Sequence, residues 1–559
     1  MSNPCLPQKD PAPAKRKQRL EATRVNYQYN YEYLPPVPLL DEVPHEETFS
    51  AEYVVERFSV LPAIATNNAL AKARSLFDPF DKIDDFADLF TILPQPASVN
   101  TWRTDFAFSE QRLSGANPMT LTLVTDLGAM PLMDSVLING NLPGTPHTPQ
   151  QALAERRLYM SDYSSFAPYH GGTWAKGRKY LPAPRVVFYW RDSGTGFNDR
   201  ALGQLAPVGI EIVRGGAVHN PYHCGPTEWL IAKLAVQIAD ANHHEMSSHL
   251  TRTHFVMEPF AIATGRQLAD NHPLGILLRQ HFRFMLANNK LGRTQLINPG
   301  GPVDRLLAGT LQESMSMVKA AYKSWDARKN AFPNEVAQRG LADKLQLPHF
   351  PYRDDGQLLW DAIVRYVYGY LRLYYRLPAD LVNDPELQEW ARDLSTDVPG
   401  QGFRVTGMPA KLAQLPDLVQ LVANIIFTCG PQHGAVNFSQ YDYMAYVPNM
   451  PFAAYCPVDS IITGPQASDA TEADLMRLLP PVGQSQDQLG TMEFLTSYHY
   501  DKLGFYKGKP FVDERVQPLV ATFQQELYAI EDHINRRNQA RAVPYKFMKP
   551  SEILNSISI

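Results

Sequence analysis

The segment HHEMSSHLTRTHFVMEPF places His244, His249 and His254 five residues apart. Imidazole is the commonest side-chain ligand for a mid-series transition ion at neutral pH. Five is an awkward interval for that purpose. Successive residues of an α-helix advance by about 100°, so positions five apart diverge by about 140°, whereas ligands to one ion want intervals of three or four. A π-turn, with about 4.4 residues per turn, brings such positions to within about 50° of each other, and π-turns concentrate at functional sites. The spacing therefore leaves two readings: a histidine-rich helix with no metal, or a helix widened so that His249 and His254 face one ion.

A second pair stands in QHGAVN, where His433 and Asn437 are four apart and share a helical face just after Gly430-Pro431, a predicted helix breaker. Three imidazoles and a side-chain amide oxygen suit iron(II) better than calcium or magnesium, and the lack of thiolates argues against structural zinc. Manganese is compatible with the same donors but is the less favoured ion. The chain ends NSISI, so Ile559 offers a carboxylate on an apolar, β-branched residue. Taken singly, each histidine is more often a satisfied core or surface residue than a ligand. Eight of the 15, however, crowd into one stretch: His219, His223, His243, His244, His249, His254, His272 and His281.

Positioning such a cluster needs a long, buried helix. From Thr227 and Glu228 an apolar stripe runs through Leu230, Leu234, Ile238 and Ala241, which predicts a central helix of about 30 residues. Further helical segments are expected at 272–292, 303–330, 357–376, 414–428 and 514–538, with extended pieces at 119–140 and 180–214. Residues 46–90 read as a helical extension whose inward face is Val54, Val55, Phe58 and Leu61. Residues 1–45 are a proline-rich arm, mobile or draped, whose basic run Lys15, Arg16, Lys17, Arg19 reads as a solubilising tail or a lipid-headgroup contact.

Composition sets outer limits. The chain has 559 residues, 44% hydrophobic and 19% charged, with a net charge of -5, enough to bury a large core and too acidic for a globally basic nucleic-acid binder. Cys5, Cys224, Cys429 and Cys456 lack CxxC spacing, so neither a zinc motif nor a disulfide framework is expected, and a reducing compartment fits. With no apolar leader and no run of about 18 apolar residues, the expectation is a soluble, cytoplasmic protein that touches membranes only peripherally, through its N-terminal extension.

The segments HLTRTHFVMEPFAIATGRQLADNHPLGILLRQHFRF, QHGAVNFSQYDYMAYVPNMP and VPYKFMKPSEILNSISI, in this order, resemble the iron-site segments of lipoxygenases. WRTDFAFSEQRLSGANP, at 102–118, is similar to the family's entry into its catalytic domain. The resemblance implies a mainly α, single-domain body at 91–559 with small β-containing regions. It further implies non-haem iron held by His249, His254, His433, Asn437 and the Ile559 carboxylate, with the sixth position left to water or hydroxide. The implied reaction takes a hydrogen atom from a cis,cis-1,4-pentadiene of a polyunsaturated fatty acid such as linoleate, linolenate or arachidonate, and adds O2 to give a hydroperoxide. No protein acid or base is needed beyond the metal-bound oxygen. The β-barrel lipid-binding module that usually precedes the domain in eukaryotic members is expected to be missing, as in bacterial and cyanobacterial ones.

By the same resemblance, Gly292 stands where members carry Ala for S-products and Gly for R-products, so R configuration is implied. Leu296 matches an apolar clamp over the pentadiene, Ala241 a pocket-base position, and Leu306 and Leu307 the pocket floor. Leu291 replaces an arginine that some members use for the substrate carboxylate, which leaves the head-group anchor open. Glu245 reads either as orienting a ligand or as a solvated charge. Two rival readings keep part of this picture: a fatty-acid hydroperoxide isomerase on the same fold, and a catalytically silent lipid binder whose histidines are only core residues.

Overall fold

The computed structural model describes residues 3–77, 80–130, 133–192, 203–462 and 470–559. The helix that carries the histidines runs through three consecutive segments, α-helical Pro226–His243, π-helical His244–Phe255 and α-helical Val256–Gln267, of 18, 12 and 12 residues. It opens on Pro226, whose missing N–H is no loss in a first turn. It outruns its expected length because Pro259 does not end it. That proline is the fourth residue of the last segment, just past the change from π to α register.

Leu234, Ile238 and Ala241 are at most 1% exposed, and so are Met257 and Phe260 on the later segment. A helix buried on every side is the axis of a core rather than its cover. Leu311–Ser324 packs on the π-segment, while Pro385–Leu394 packs on Val256–Gln267. Farther out, Pro351–Arg372 joins Leu415–Phe427 and Gln517–Ala540.

The β-structure centres on a five-stranded antiparallel sheet, β1 (Thr122–Leu123), β2 (Leu158–Asp162), β3 (Arg185–Arg191), β4 (Gln204–Glu211) and β5 (Val218–His219), in sequential order. The expected extended pieces supply β1, β3 and β4, although 193–202 lies outside the described residues. The spacing of apolar residues does not foretell β2. Its five residues LYMSD are too few to show alternation.

The N-terminal arm is draped, not mobile. Helix α1 (Pro13–Arg24) lies on Val256–Gln267. Within its basic run, Arg16 is only 7% exposed and is paired with Asp10 and Glu386 at 2.9 and 2.5 Å; Lys15, Lys17 and Arg19 remain exposed. The close approach of Tyr27 explains Gly265, since a Cβ there would come within 2.5 Å of the tyrosine ring. Leu34, Val37, Leu39 and Leu40 enter the main core.

Helices α2 (Ala51–Phe58) and α3 (Leu61–Ser75) follow. The expected inward face of α2 is corrected here: Tyr53 and Arg57 are buried, whereas Val54, Val55 and Leu61 are 40%, 72% and 44% exposed. Tyr53 and Arg57 are four apart and share a face, and the aromatic cluster of Phe49, Tyr53, Phe284 and Tyr500 buries more surface than two valines would. No helix of the described residues is long and apolar enough to cross a membrane.

Candidate metal centre

The π-segment brings His249 and His254 onto one side of the helix, with their Nε2 atoms 3.3 Å apart. His433 completes a triangle with ring centroids 5.5 Å from His249 and 5.1 Å from His254. It is delivered by a second π-turn, Thr428–Gln432, between Leu415–Phe427 and His433–Asn437. Gly430-Pro431 therefore does not break the helix. Pro431 sits inside the π-turn, where the wider register tolerates a missing N–H, and the turn rotates His433 towards the other two. The sequence reading misses this turn because Gly-Pro is a breaker signal in a regular helix.

All three rings are buried, with exposures of 6%, 7% and 1%. Burial and the neighbouring His254 and His433 rings hold His249 far below the ordinary imidazole range; burial, then His254, does the same to His433. Burial pushes His254 down to about 4, against the hydrogen bond to Asn289. These are neutral imidazoles, the form that binds metals.

The tautomer of His254 is set by its surroundings. Asn289 donates through Nδ2 to the His254 carbonyl and to Glu258 Oε2. Its Oδ1 must therefore face the ring, where it accepts from Nδ1 at 2.8 Å. That leaves Nε2 of His254 as a lone pair facing Nε2 of His249. Nε2 of His433 is buried with no hydrogen-bond partner. Three buried imidazoles, two of them meeting nitrogen to nitrogen and one with an orphaned nitrogen, fit a divalent transition ion, and their ligand atoms all lie within 4.8 Å of one another. Sequence reasoning does not single out Asn289; its signal is an Asn288-Asn289 pair inside a helix that asparagine disfavours.

The remaining clustered histidines have other partners. His244 Nε2 lies 2.9 Å from the Val436 carbonyl while its Nδ1 faces Glu245 at 3.4 Å. His219 pairs with Glu228 at 2.8 Å and His272 with Asp384 at 3.0 Å. His281 meets the Asn555 carbonyl at 2.8 Å, and His223 meets Asn220 at 3.3 Å. His243 is hydrogen-bonded to Ser248 and Asn117.

Asn437 is fully buried one turn beyond His433, but its Oδ1 accepts from Gln440 at 3.0 Å and its Nδ2 donates to Leu495. Ile559 is 3% exposed and shares a cavity wall with His249 and His254. That cavity holds about 490 Å³ and is walled mainly by apolar side chains, among them Met246, Leu250, Ile297 and Leu495. Gly292 and Leu296 belong to the wall. Ala241, Leu306 and Leu307 do not: they are buried elsewhere in the core, and from the short helix Pro302–Leu306 it is Val303 that reaches the cavity.

The lipoxygenase family model matches residues 90–548; the residues before that match form helices and a short hairpin docked on the body. A Linoleate 9/13-lipoxygenase of Pseudomonas aeruginosa is 32% identical over 505 residues, covering 86% of this chain and 70% of the relative. An allene oxide synthase-lipoxygenase protein of Plexaura homomalla is 28% identical over 97% of this chain, which spans 53%, about half, of that relative's length. Among solved structures, a coral 8R-lipoxygenase superposes with a TM-score of 0.87 at 27% identity, covering 100% of this chain and 83% of the coral one.

Proposed function

The chain belongs to the lipoxygenase family, and on that footing we propose that it is a non-haem iron dioxygenase converting polyunsaturated fatty acids with a cis,cis-1,4-pentadiene into R-configured hydroperoxides. The observation that carries the reading is the junction of the three imidazoles with the apolar cavity: His249 and His254 belong both to the nitrogen triangle and to the cavity wall. The Linoleate 9/13-lipoxygenase and 8R-lipoxygenase relatives support the substrate class and the chirality.

His249, His254 and His433 would hold the iron, with Asn437 a weak amide ligand and Ile559 contributing its carboxylate. The anion balances charge that three neutral imidazoles leave unopposed. Gln440 donates to one lone pair of the Asn437 oxygen, which leaves the second for the ion. When bound, iron would supply the one-electron redox chemistry that hydrogen removal from a doubly allylic carbon and capture of O2 require.

The residues of the chain do the rest by binding and exclusion. Asn289 keeps Nδ1 of His254 protonated and so keeps Nε2 available. Met246, Leu250, Leu296 and Leu495 remove the acyl chain from water, each buried CH2 contributing about 0.8 kcal/mol. They also keep water away from a radical that must meet O2 first. At Gly292 a Cβ would meet nothing within 4 Å, so the glycine leaves room beside the pentadiene for O2.

The deciding experiment measures iron and oxygen uptake together. Purified protein should hold about one iron per chain and consume O2 with linoleate, forming a conjugated diene. Iron-loaded protein that consumes no O2 with any polyunsaturated lipid overturns the reading. Consumption of a fatty-acid hydroperoxide without O2 would instead identify the isomerase.

A further inference from the structure

A second group of ligand-type side chains lies outside the imidazole triangle. His219 ends strand β5, Cys224 follows in a turn, and Glu228 sits in the first turn of Pro226–His243. Their ligand atoms all lie within 4.8 Å of one another. Nδ1 of His219 is 2.8 Å from Glu228 Oε1 and 3.7 Å from Cys224 Sγ, so one nitrogen faces both. Among the described residues, the other three cysteines belong to no such group.

The local fold builds this convergence. Pairing of His219 with Ile210 on β4 fixes the imidazole end. The buried Asn220 accepts through Oδ1 from the backbone N–H groups of Tyr222 and His223, at 2.8 and 3.0 Å, and its carbonyl accepts from the Cys224 N–H at 3.1 Å. The chain thus doubles back and brings the thiol over the start of the helix. His219 and Glu228 are 2% and 0% exposed, whereas Cys224 is only partly buried, so its side is the way in from solvent.

The third member of the group is unlike that of a comparable buried pair. His272 and Asp384 are completed by the Tyr375 hydroxyl, which donates to the carboxylate at 2.8 Å. Beside His219 and Glu228 stands a sulfur instead, a weak donor that becomes a strong ligand once ionised. Burial pushes this thiol up to about 12, so it takes a bound cation to make it a thiolate. Around a tetrahedral zinc, with bonds of about 2.0 Å to nitrogen and oxygen and about 2.3 Å to sulfur, neighbouring ligand atoms stand about 3.3–3.6 Å apart. The nitrogen–sulfur separation is already close to that, and turning the carboxylate brings the nitrogen–oxygen separation to it.

We propose that His219, Cys224 and Glu228 bind a zinc ion, separate from the iron of the triangle. Thiolate and imidazole together select zinc over calcium or magnesium, and one thiolate with one carboxylate balances its charge in a buried place. Water from the Cys224 side fills the fourth position. The ion joins the last strand of the sheet to the first turn of the helix that carries His249 and His254, which makes it a structural staple. No CxxC interval announces it, because strand, turn and helix each supply one donor. It shares no residue with the triangle and does not depend on the dioxygenase reading.

The test titrates full-length, iron-loaded protein with zinc while its iron content is followed. About one zinc per chain should bind with no iron released, and the thermal midpoint should rise. Cobalt(II) in place of zinc should give a thiolate charge-transfer band, which the triangle cannot produce because it holds no sulfur. Cys224→Ser, the mildest change, should abolish that band and weaken zinc binding roughly 100-fold or more, with oxygen uptake on linoleate in the absence of zinc unchanged. Glu228→Gln should weaken zinc binding to a similar extent. Affinity should also fall as the pH is lowered, since the thiol must give its proton to solvent and the imidazole must free Nδ1. Zinc that enters only by expelling iron, no such band in the native protein, or equal zinc affinity in the native and Cys224→Ser proteins overturns the proposal.

Discussion

The hydroxyl of Tyr53 donates to the carbonyl of Ser558, joining helix α2 of the N-terminal extension to the residue next to Ile559. Both partners are buried, at 1% exposure each, and Tyr53 is gripped by rings stacked or tilted around it, with centroids 4.6 Å from Phe49 and 4.7 Å from Phe284. The extension therefore orders the segment proposed to supply the carboxylate ligand. Tyr53→Phe keeps the ring packing but leaves a buried carbonyl unpaired, at a cost of about 1–3 kcal/mol. The expected outcome is faster amide exchange at 555–559 and weaker iron retention with the imidazole triangle intact. Adding one residue after Ile559 removes its carboxylate and should lower iron retention further. Full retention in the extended chain would remove Ile559 from the ligand set.

Gly292→Ala tests stereocontrol with little risk to folding. The added methyl meets nothing within 4 Å, and alanine favours the helix over glycine by about 1 kcal/mol. The variant should be at least as stable as the native chain, while the methyl narrows the cavity. Chiral chromatography of the linoleate product should then show the R excess falling and S product appearing. An unchanged R to S ratio would reduce Gly292 to a helix-packing residue.

The parts of the site that were legible are those written in chain intervals. Five-residue spacing between His249 and His254 has one economical helical solution, and the π-segment His244–Phe255 is that solution. Thr428–Gln432 is hidden because Gly-Pro signals termination, and only burial against the rest of the core keeps the helix going. Lining residues depend on how a helix is rotated relative to the cavity, which spacing does not determine; hence Gly292 and Leu296 face it while Ala241, Leu306 and Leu307 do not. The inward face of α2 is obscured for a related reason. Valines look more apolar than Tyr53 and Arg57, yet those two have partners waiting in the interior.

Asn289→Ala removes the acceptor that holds Nδ1 of His254. Without it, the ring is free to turn or to change tautomer, and Glu258 loses a donor as well. Loss of such a supporting contact typically weakens metal affinity about 10- to 100-fold. Competition against a chelator measures this directly, and an affinity equal to that of the native protein would mean that packing alone orients His254.

Stability should fall on acidification because of histidines away from the triangle. His281 is fully buried and donates through Nδ1 to the Asn555 carbonyl at 2.8 Å. Burial pushes it down from 6.5 to about 4, only partly opposed by that hydrogen bond. Above pH 6.5 neither the folded nor the unfolded state binds the proton. Between 6.5 and about 4 the unfolded chain takes up a proton that the folded protein refuses, so the unfolded state gains. His281 alone then removes roughly 3 kcal/mol of stability by the lower limit, at about 1.4 kcal/mol per pH unit. His243, held down to about 3 by burial and by Arg252, acts in the same direction. The urea midpoint should therefore decline steadily as the pH falls below 6.5, and His281→Asn should make that decline shallower even if it lowers the midpoint at neutral pH. Parallel declines in the native and variant proteins would show that His281 takes up its proton without unfolding.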